Sequence, residues 1–241
     1  MSSVWVVSGL NRFANGLMVW GLGPVLWMQG MWVQRKVPRL PEPVGSRSGT
    51  SGLGPALRLL LVGDSSAAGV GVGHQDQALS GQLVAELASR FCISWRVEAT
   101  TGATTASLLE QLRTLDFSCF DVAVTALGVN DVVRGVSVNQ WLQEYGALRA
   151  CMLGGGVSRV IVSGLPPVSQ FPALPQPLRW VLGRRAQYFD RALCESVEAD
   201  PRATYVPLDF QGNMDEMAVD GFHPGAPIYR KWAHRLTHEI E

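Results

Sequence analysis

A serine and an Asp/His pair are the residues of this chain whose types and spacing suggest catalysis. Ser65 follows the apolar run 59–62 in a short turn, Gly63-Asp64-Ser65, and Asp220 precedes His223 by three residues near the other end of the chain. A serine hydroxyl is a poor nucleophile until a base removes its proton, and histidine is a common base. Asp220 can turn back to accept a hydrogen bond from the ring, which leaves the other ring nitrogen facing the serine. These residues predict one composite hydrolytic site.

Acyl transfer also needs hydrogen-bond donors aimed at the negative charge that develops on the carbonyl oxygen. The candidates are the backbone N–H of Ser65, the backbone N–H of Gly102 and the side-chain amide of Asn130. Glycine allows the backbone to approach a ligand closely, and an asparagine amide donates without carrying charge. In isolation, Gly102 is equally consistent with an ordinary turn glycine, and Asn130 with a turn-capping side chain. Their role therefore depends on where the fold places them.

Alternating strand and helix patterns must position these residues. Short apolar or alternating runs predict strands, and apolar residues at helical spacing predict helices. The predicted strands are 58–63, 94–99, 120–127, 159–163 and 203–208, and the predicted helices are 78–91, 106–115, 138–153, 180–197 and 226–240. Strands separated by single helices indicate an α/β fold with a five-stranded parallel sheet and helices on both faces. The candidate residues follow the carboxyl ends of four predicted strands, where such sheets bind ligands.

The segments around the candidate residues resemble the four sequence blocks of the SGNH hydrolases, also called GDSL-type esterases and lipases. The matching segments, within residues 57–240, are Gly63-Asp64-Ser65, Thr101-Gly102-Ala103-Thr104, Gly128-Val129-Asn130-Asp131 and Asp220-Gly221-Phe222-His223-Pro224. The resemblance implies a flavodoxin-like three-layer α/β/α sandwich and no metal or organic cofactor. It implies that Ser65 is the nucleophile, His223 the base and Asp220 its orienter. It also implies an oxyanion hole formed by Ser65, Gly102 and Asn130.

One position departs from the family pattern. Ser66 stands where the family usually has leucine after the nucleophile. Because that position is not catalytic in the family, we expect the change to alter local packing and not the chemistry.

A proline-rich apolar loop after the fourth predicted strand contains Phe171 and Leu174. We predict that these two residues wall an acyl pocket, with a rigid structural connection as the alternative. The family resemblance favours carboxylic esters of short to medium acyl chain, and thioesters and lysophospholipids are further candidate substrates. An acyl or acetyl transferase and a carbohydrate O-acetyl esterase would use the same triad and stay open as alternatives. A non-catalytic, membrane-associated binding protein is a further alternative.

The composition divides the chain into an apolar arm at 1–37, a Pro/Gly/Ser-rich linker at 38–55 and a hydrolase domain at 56–241. Within the arm, residues 16–33 contain no charged side chain and three tryptophans, which favour membrane interfaces. We predict a membrane anchor or an interfacial helix, with packing on the domain or on a partner subunit as the alternative. Basic residues after the apolar run favour a cytoplasmic catalytic domain, with a periplasmic or soluble cytoplasmic protein as alternatives. These residues are Arg35, Lys36 and Arg39.

Charge and cysteine content argue against several other classes of protein. The chain carries 20 basic and 20 acidic residues, and residues 1–55 hold five of the basic residues and one of the acidic ones. The remaining 15 basic and 19 acidic residues do not form the basic surface that nucleic acid requires. The four cysteines are far apart and lack metal-ligand spacing, so they predict free thiols and no metal site. The sequence leaves the oligomeric state open.

Overall fold

Six strands form the central sheet of the computed structural model, which describes residues 22–209 and 214–240. In chain order the strands are β1 (Ser48–Ser51), β2 (Ala56–Gly63), β3 (Cys92–Ala99), β4 (Val122–Ala126), β5 (Arg159–Ser163) and β6 (Ala203–Val206). They lie side by side in the order β1-β3-β2-β4-β5-β6. Strands β2 to β6 are parallel to their neighbours, and β1 runs antiparallel to β3. The predicted parallel strands are confirmed, but the sheet is mixed and has a sixth strand.

The additional strand, β1, lies within the segment 38–55, where we expected a linker without strand. Its sequence, Ser-Gly-Thr-Ser, has no apolar alternation, so hydrophobic periodicity could not reveal it. It forms because it pairs with the open edge of β3, with Ser48 opposite Arg96. The N–H of Val97 extends this pairing by donating to the carbonyl of Arg47 at 2.8 Å. The linker expectation therefore needs correction at these four residues.

Helices flank the sheet on both faces. They are α1 (residues 22–36 as described), α2 (Ser65–Ala68), α3 (Leu79–Leu87), α4 (Thr105–Leu112), α5 (Val129–Val133), α6 (Val138–Gly154), α7 (Leu178–Glu198) and α8 (Ala226–Ile240). Short 3₁₀ turns lie at Gln75–Gln77, Phe117–Cys119, Val168–Gln170 and Met214–Glu216. Helices α3, α4, α6, α7 and α8 correspond to the five predicted helices. The two shortest, α2 and α5, follow strands β2 and β4 directly and were not predicted.

Alternate residues of β2 face opposite sides of the sheet, as strand geometry requires. Leu59 and Leu61 pack in an apolar cluster with residues of α3 and α8. Leu60 and Val62 pack in a second cluster with residues of α4, α6 and α7. All four side chains are buried, which explains the uninterrupted apolar run in this strand. The three-layer α/β/α architecture predicted from the sequence is therefore confirmed.

Helix α1 lies against the domain. Its Leu26 and Val33 pack on the cluster that contains α7, and the side chain of Gln29 forms two hydrogen bonds to the backbone. Gln29 donates to the carbonyl of Gln176 at 2.6 Å and accepts from the N–H of Leu178 at 3.0 Å. Among the described residues no helix has both the length and the apolar character needed to cross a bilayer. Positions 16–21 of the predicted membrane segment lie outside the described residues.

The strand order sets the geometry of the sheet edge where the candidate residues lie. Strand β2 lies between β3 and β4, so the turn that carries Ser65 lies between the loops that follow those two strands. Gly63 is the tightest point of this arrangement. The N–H of Asp64 donates to the carbonyl of Ala126 at 3.1 Å, and the carbonyl of Gly63 accepts from the N–H of Thr100 at 3.2 Å. A side chain at position 63 would collide with β4.

We predict that Gly63→Ala lowers the free energy of unfolding by about 1–3 kcal/mol, as overpacking of a close contact does. The added Cβ would lie 2.2 Å from the carbonyl oxygen of Ala126 and 2.6 Å from the Cβ of Ala67. Denaturant-induced unfolding measures the change. The control is Gly146→Ala in α6, where an added Cβ meets no atom within 4 Å. That variant should gain about 0.5–1 kcal/mol, and similar effects at both positions would contradict the close-approach argument.

Candidate active site

The structure brings Ser65, His223 and Asp220 into one hydrogen-bonded chain. Ser65 is the first residue of α2, directly beyond the end of β2. Its Oγ lies 2.9 Å from Nε2 of His223, and Nδ1 of the same ring lies 2.6 Å from Oδ2 of Asp220. The two partners are 158 residues apart in sequence, and both distances are those of hydrogen bonds.

The short loop around Asp220 explains how a spacing of three residues produces this geometry. Oδ1 of Asp220 accepts from the backbone N–H of Phe222 at 2.9 Å and of His223 at 3.0 Å. Burial alone would raise the pKa of Asp220, but the hydrogen bonds from the His223 ring and from these two N–H groups outweigh burial. The pKa of Asp220 therefore lies below its ordinary value, and the carboxylate is ionised at neutral pH.

This arrangement is suited to removing the proton of Ser65. An ionised Asp220 can only accept, so the imidazole must place its proton on Nδ1. Nε2 is then free to accept the hydroxyl proton of Ser65. The Asp220 side chain is fully buried, whereas 18% of the His223 side chain is exposed. His223 therefore faces the open side of the site, and the carboxylate of Asp220 is shielded from water.

The amide of Asn130 lies beside the serine turn. Its Nδ2 donates to the carbonyl of Ala103 at 2.9 Å and to Oδ2 of Asp64 at 3.3 Å. The first bond is of normal length and orients the amide, while the second is long and correspondingly weak. The N–H of Asn130 that faces Asp64 is therefore the one that could donate a hydrogen bond to an oxyanion near Ser65.

Gly102 lies in the loop after β3, the neighbour of β2. Its φ of 80° is left-handed, a conformation that favours glycine. Its carbonyl accepts from Nη2 of Arg134 at 2.8 Å, which holds the Gly102–Ala103 peptide unit. Within the described residues, the N–H groups of Gly102 and Ser65 meet no protein acceptor. Both donors can therefore serve a ligand, although Gly102 is not among the residues that line the cavity described below.

Two further carboxylates support the site without contacting the base. Asp64 caps α2 by accepting from the N–H of Ser66 at 3.0 Å and from its hydroxyl at 2.9 Å, which is the contact that the unusual serine adds. Burial raises the pKa of Asp64. Asp131 accepts from the N–H and the hydroxyl of Thr105, and burial raises its pKa to about 6. These residues tie the turns after β2, β3 and β4 together.

Ser65 and His223 open onto a mainly apolar cavity. Phe171, one of the two predicted wall residues, lines it, and its ring lies 5.1 Å from that of Phe222 in an edge-to-face contact. Leu174, the other, is buried behind the wall and does not line the cavity. Further apolar lining residues are Leu127, Val129, Pro166, Pro167, Leu208, Met217, Phe222, Ile228 and Trp232.

Most of these additional lining residues escaped the sequence-based prediction. Phe222 could have been found, because it lies inside the Asp-Gly-Phe-His-Pro block that carries the base. Ile228 and Trp232 are four residues apart on α8, a spacing that places them on one helix face. That spacing indicates a buried stripe, but it does not distinguish core from cavity.

Comparison with known proteins identifies the family of this chain. The model of the GDSL-like Lipase/Acylhydrolase family matches residues 61–231, a range that includes Ser65, Asn130, Asp220 and His223. The chain belongs to this family. The resemblance inferred from the four sequence blocks is thereby confirmed. The match begins three residues before Asp64 and extends into α8.

A curated relative is the GDSL-like esterase Rv1075c of Mycobacterium tuberculosis, 27% identical over 187 residues. The match covers 72% of this chain and 58% of that protein, so the chain spans little more than half of the relative. Among solved structures, TesA superposes with a TM-score of 0.62 at 23% identity, over 76% of this chain and 98% of TesA. A catalytic mutant of Axe2, an acetylxylan esterase from Geobacillus stearothermophilus, gives 0.61 at 17% identity, over 78% and 95%. These structures share the fold.

We predict that Asp220→Asn lowers kcat for a simple ester such as p-nitrophenyl acetate about 10³–10⁴-fold, because the ring would lose the partner that sets its tautomer. Steady-state kinetics on the folded variant measure the loss. Asp121→Asn is the matched control, since that carboxylate pairs with Arg58 on the protein surface. It should leave kcat nearly unchanged. A kcat for Asp220→Asn within tenfold of the unsubstituted protein would count against Asp220 as the orienter.

Proposed function

We propose that this protein is a serine esterase that hydrolyses carboxylic esters of short to medium acyl chain through an acyl-enzyme on Ser65. The observation that carries the proposal is the hydrogen-bonded chain from Ser65 through His223 to Asp220, opening onto an apolar cavity. A nucleophile, a base and an orienting carboxylate in this order form the arrangement used for acyl transfer on several unrelated folds.

The proposed first half-reaction forms the acyl-enzyme. Oγ of Ser65 attacks the ester carbonyl carbon as its proton moves to Nε2 of His223, and the carbonyl oxygen becomes an oxyanion. The N–H groups of Ser65 and Gly102 and the amide of Asn130 donate to that oxyanion. When the intermediate collapses, the bond to the alcohol oxygen breaks and the alcohol leaves with the proton held by His223.

The second half-reaction repeats these steps with water. Water loses a proton to Nε2 of His223 and attacks the acyl carbon, and the proton then returns to Oγ as the carboxylic acid departs. Each proton passes through His223 and returns, so the site is regenerated. An alcohol in place of water would make the same site a transferase. Competition between water and an added alcohol such as glycerol therefore distinguishes the two activities.

The cavity supports an acyl chain as the group that enters it. Phe171, Phe222 and Trp232 contribute aromatic wall surface, and half of the other lining residues are aliphatic or proline. Burial of a methylene group in such a site contributes about 0.8 kcal/mol, so the wall would favour chains that fill it. The esterase name of the mycobacterial relative supports an ester substrate. Thioesters and lysophospholipids belong to the proposed substrate class, as do acetylated sugars, because the structurally similar Axe2 is an acetylxylan esterase.

A panel of p-nitrophenyl esters from acetate to decanoate tests the proposal. The unsubstituted protein should hydrolyse these esters, and Ser65→Ala should lose at least about 10⁴-fold in kcat and all labelling by a fluorophosphonate probe. Phe171→Ala should change the ratio of rates on long and short chains, because it removes wall surface. Leu174→Ala, a comparable loss from the same loop outside the cavity, is the control.

Two outcomes would overturn the proposal. The esterase assignment fails if the folded protein neither hydrolyses the panel nor reacts with the probe at Ser65. The assignment of Phe171 to the acyl wall fails if Phe171→Ala and Leu174→Ala lower the rates on all chain lengths by the same factor.

A further inference from the structure

Helix α1 presents apolar side chains on both of its faces. The inner face packs on the domain through Leu26, Gln29 and Val33. On the opposite side, Trp27 is 68% exposed, Met28 57% and Trp32 52%. Single exposed apolar residues are normal, but large apolar side chains clustered on one helix mark an interaction surface. We call these three residues the outer face of α1.

Positive charge follows this outer face. Arg35 and Lys36 close the helix and Arg39 comes three residues later, and all three are exposed. In the described part of the chain none of them makes an ion pair. The chain beyond residue 55 has 15 basic and 19 acidic residues, so an excess of positive charge is found only in the N-terminal part of the sequence. Tryptophan beside basic residues is the composition of surfaces that bind anionic lipid.

Helix α1 contacts the connection between β5 and α7, part of which lines the cavity. Gln29 is hydrogen-bonded to Gln176 and Leu178, which belong to the same connection that lines the cavity at Phe171. We propose that the outer face of α1 binds the surface of an anionic lipid bilayer, with tryptophan and methionine at the headgroup level and the following cations against lipid phosphates. The helix lies on the membrane surface in this arrangement, and its inner face stays on the domain.

Co-sedimentation of the full chain with vesicles tests this proposal. Binding to vesicles of phosphatidylcholine with 30% phosphatidylglycerol should exceed binding to phosphatidylcholine alone and should weaken with salt. Trp27→Ser/Trp32→Ser should lower binding at least about tenfold. Replacement of Arg35, Lys36 and Arg39 by glutamine should lower it about fivefold per charge. Leu53→Ser is the matched control, since Leu53 is 93% exposed and belongs to the connection between β1 and β2.

Hydrolysis of a soluble acetate ester, unchanged in these variants, shows that they are folded. No binding to either vesicle by the folded protein overturns the proposal. Binding that survives the tryptophan substitutions also overturns it, because other residues, such as 1–21, would then hold the lipid. A concentration-dependent dimer that the same substitutions dissociate, without vesicle binding, would assign the outer face to a second copy of the chain instead.

A separate set of contacts concerns the loop that carries Gly102. Oε1 of Glu42 accepts from the hydroxyl of Thr101 at 2.6 Å, and Oε2 pairs with Nη2 of Arg47 at 2.5 Å. Nη1 of Arg47 donates to the carbonyl of Ala99 at 3.0 Å. Glu42 and Arg47 therefore hold the loop by hydrogen bonds to Thr101 and Ala99, the residues on either side of Thr100. Neither residue was singled out by the sequence, because both lie in the segment expected to be a linker.

The backbone that carries Glu42 and Arg47 is itself anchored. Pro43 is buried, and Val44 forms two backbone hydrogen bonds, from its N–H to Gly73 and from its carbonyl to Gln75. If Ser65 is the nucleophile as proposed above, we infer that Glu42 is a positioning residue, which acts through Thr101 to hold the N–H of Gly102 towards the oxyanion. It touches no reacting atom.

Kinetics on p-nitrophenyl acetate test this inference. Glu42→Ala and Thr101→Val should each lower kcat about tenfold with KM within twofold, because a loosened donor loses its effect in the transition state. The double variant should be no worse than either single one, and Glu42→Gln, which keeps an acceptor oxygen, should recover part of the loss. Arg58→Ala, which breaks an ion pair of similar exposure away from the site, is the control.

The outcomes separate this inference from the esterase proposal. Absence of Ser65-dependent turnover in the unsubstituted protein would remove the esterase proposal itself. Normal turnover in that protein, with Glu42→Ala no slower than Arg58→Ala, would overturn the positioning role alone. Additive losses in the double variant would do the same, because they would mean that Glu42 and Thr101 act independently.

Discussion

The order of three parallel strands determines where the candidate catalytic residues lie. Because β2 lies between β3 and β4, the turn after β2 is bordered by the loops that follow its two neighbours. Gly63 allows the closest approach, with its Cα against the carbonyl of Ala126. Ser65 and Asn130 therefore line one cavity, although 65 residues separate them in the chain. His223 lies in the loop after β6, so the segments that follow β2, β3, β4 and β6 contribute the candidate residues at this edge of the sheet.

The buried carboxylates at this edge of the sheet differ in what surrounds them. Asp220 receives hydrogen bonds from two backbone N–H groups and from the imidazole, and its pKa is lowered. Asp64 and Asp131 receive fewer or longer bonds from neutral donors, and burial raises their pKa. Similar side chains in one small region therefore have different tasks. In the proposed mechanism Asp220 stabilises the imidazolium that develops on His223, whereas Asp64 and Asp131 hold the turns that carry Ser65 and Asn130.

Much of the fold and of the triad could be predicted from the sequence, because both depend on local signals. The apolar runs of the parallel strands reflect burial on both faces, and the spacing of Asp220 and His223 reflects one turn of backbone. The rest depends on tertiary contacts with no periodic signal. Strand β1 is polar and exists only by pairing with β3. Leu174 and Phe171 belong to one apolar loop, and only the packing decides which of them meets the cavity.

Strand β1 also has a consequence for the behaviour of the protein in concentrated solution. An unpaired sheet edge is a template for strands of other molecules, and long apolar edges promote aggregation. Here β1 covers the flank of the longer strand β3, and both outermost strands, β1 and β6, have only four residues. The outermost strand β1 consists of serine, glycine and threonine, which offer an incoming strand no apolar surface. The segment that was predicted to be a linker thus disfavours pairing of this sheet edge with a strand of another molecule.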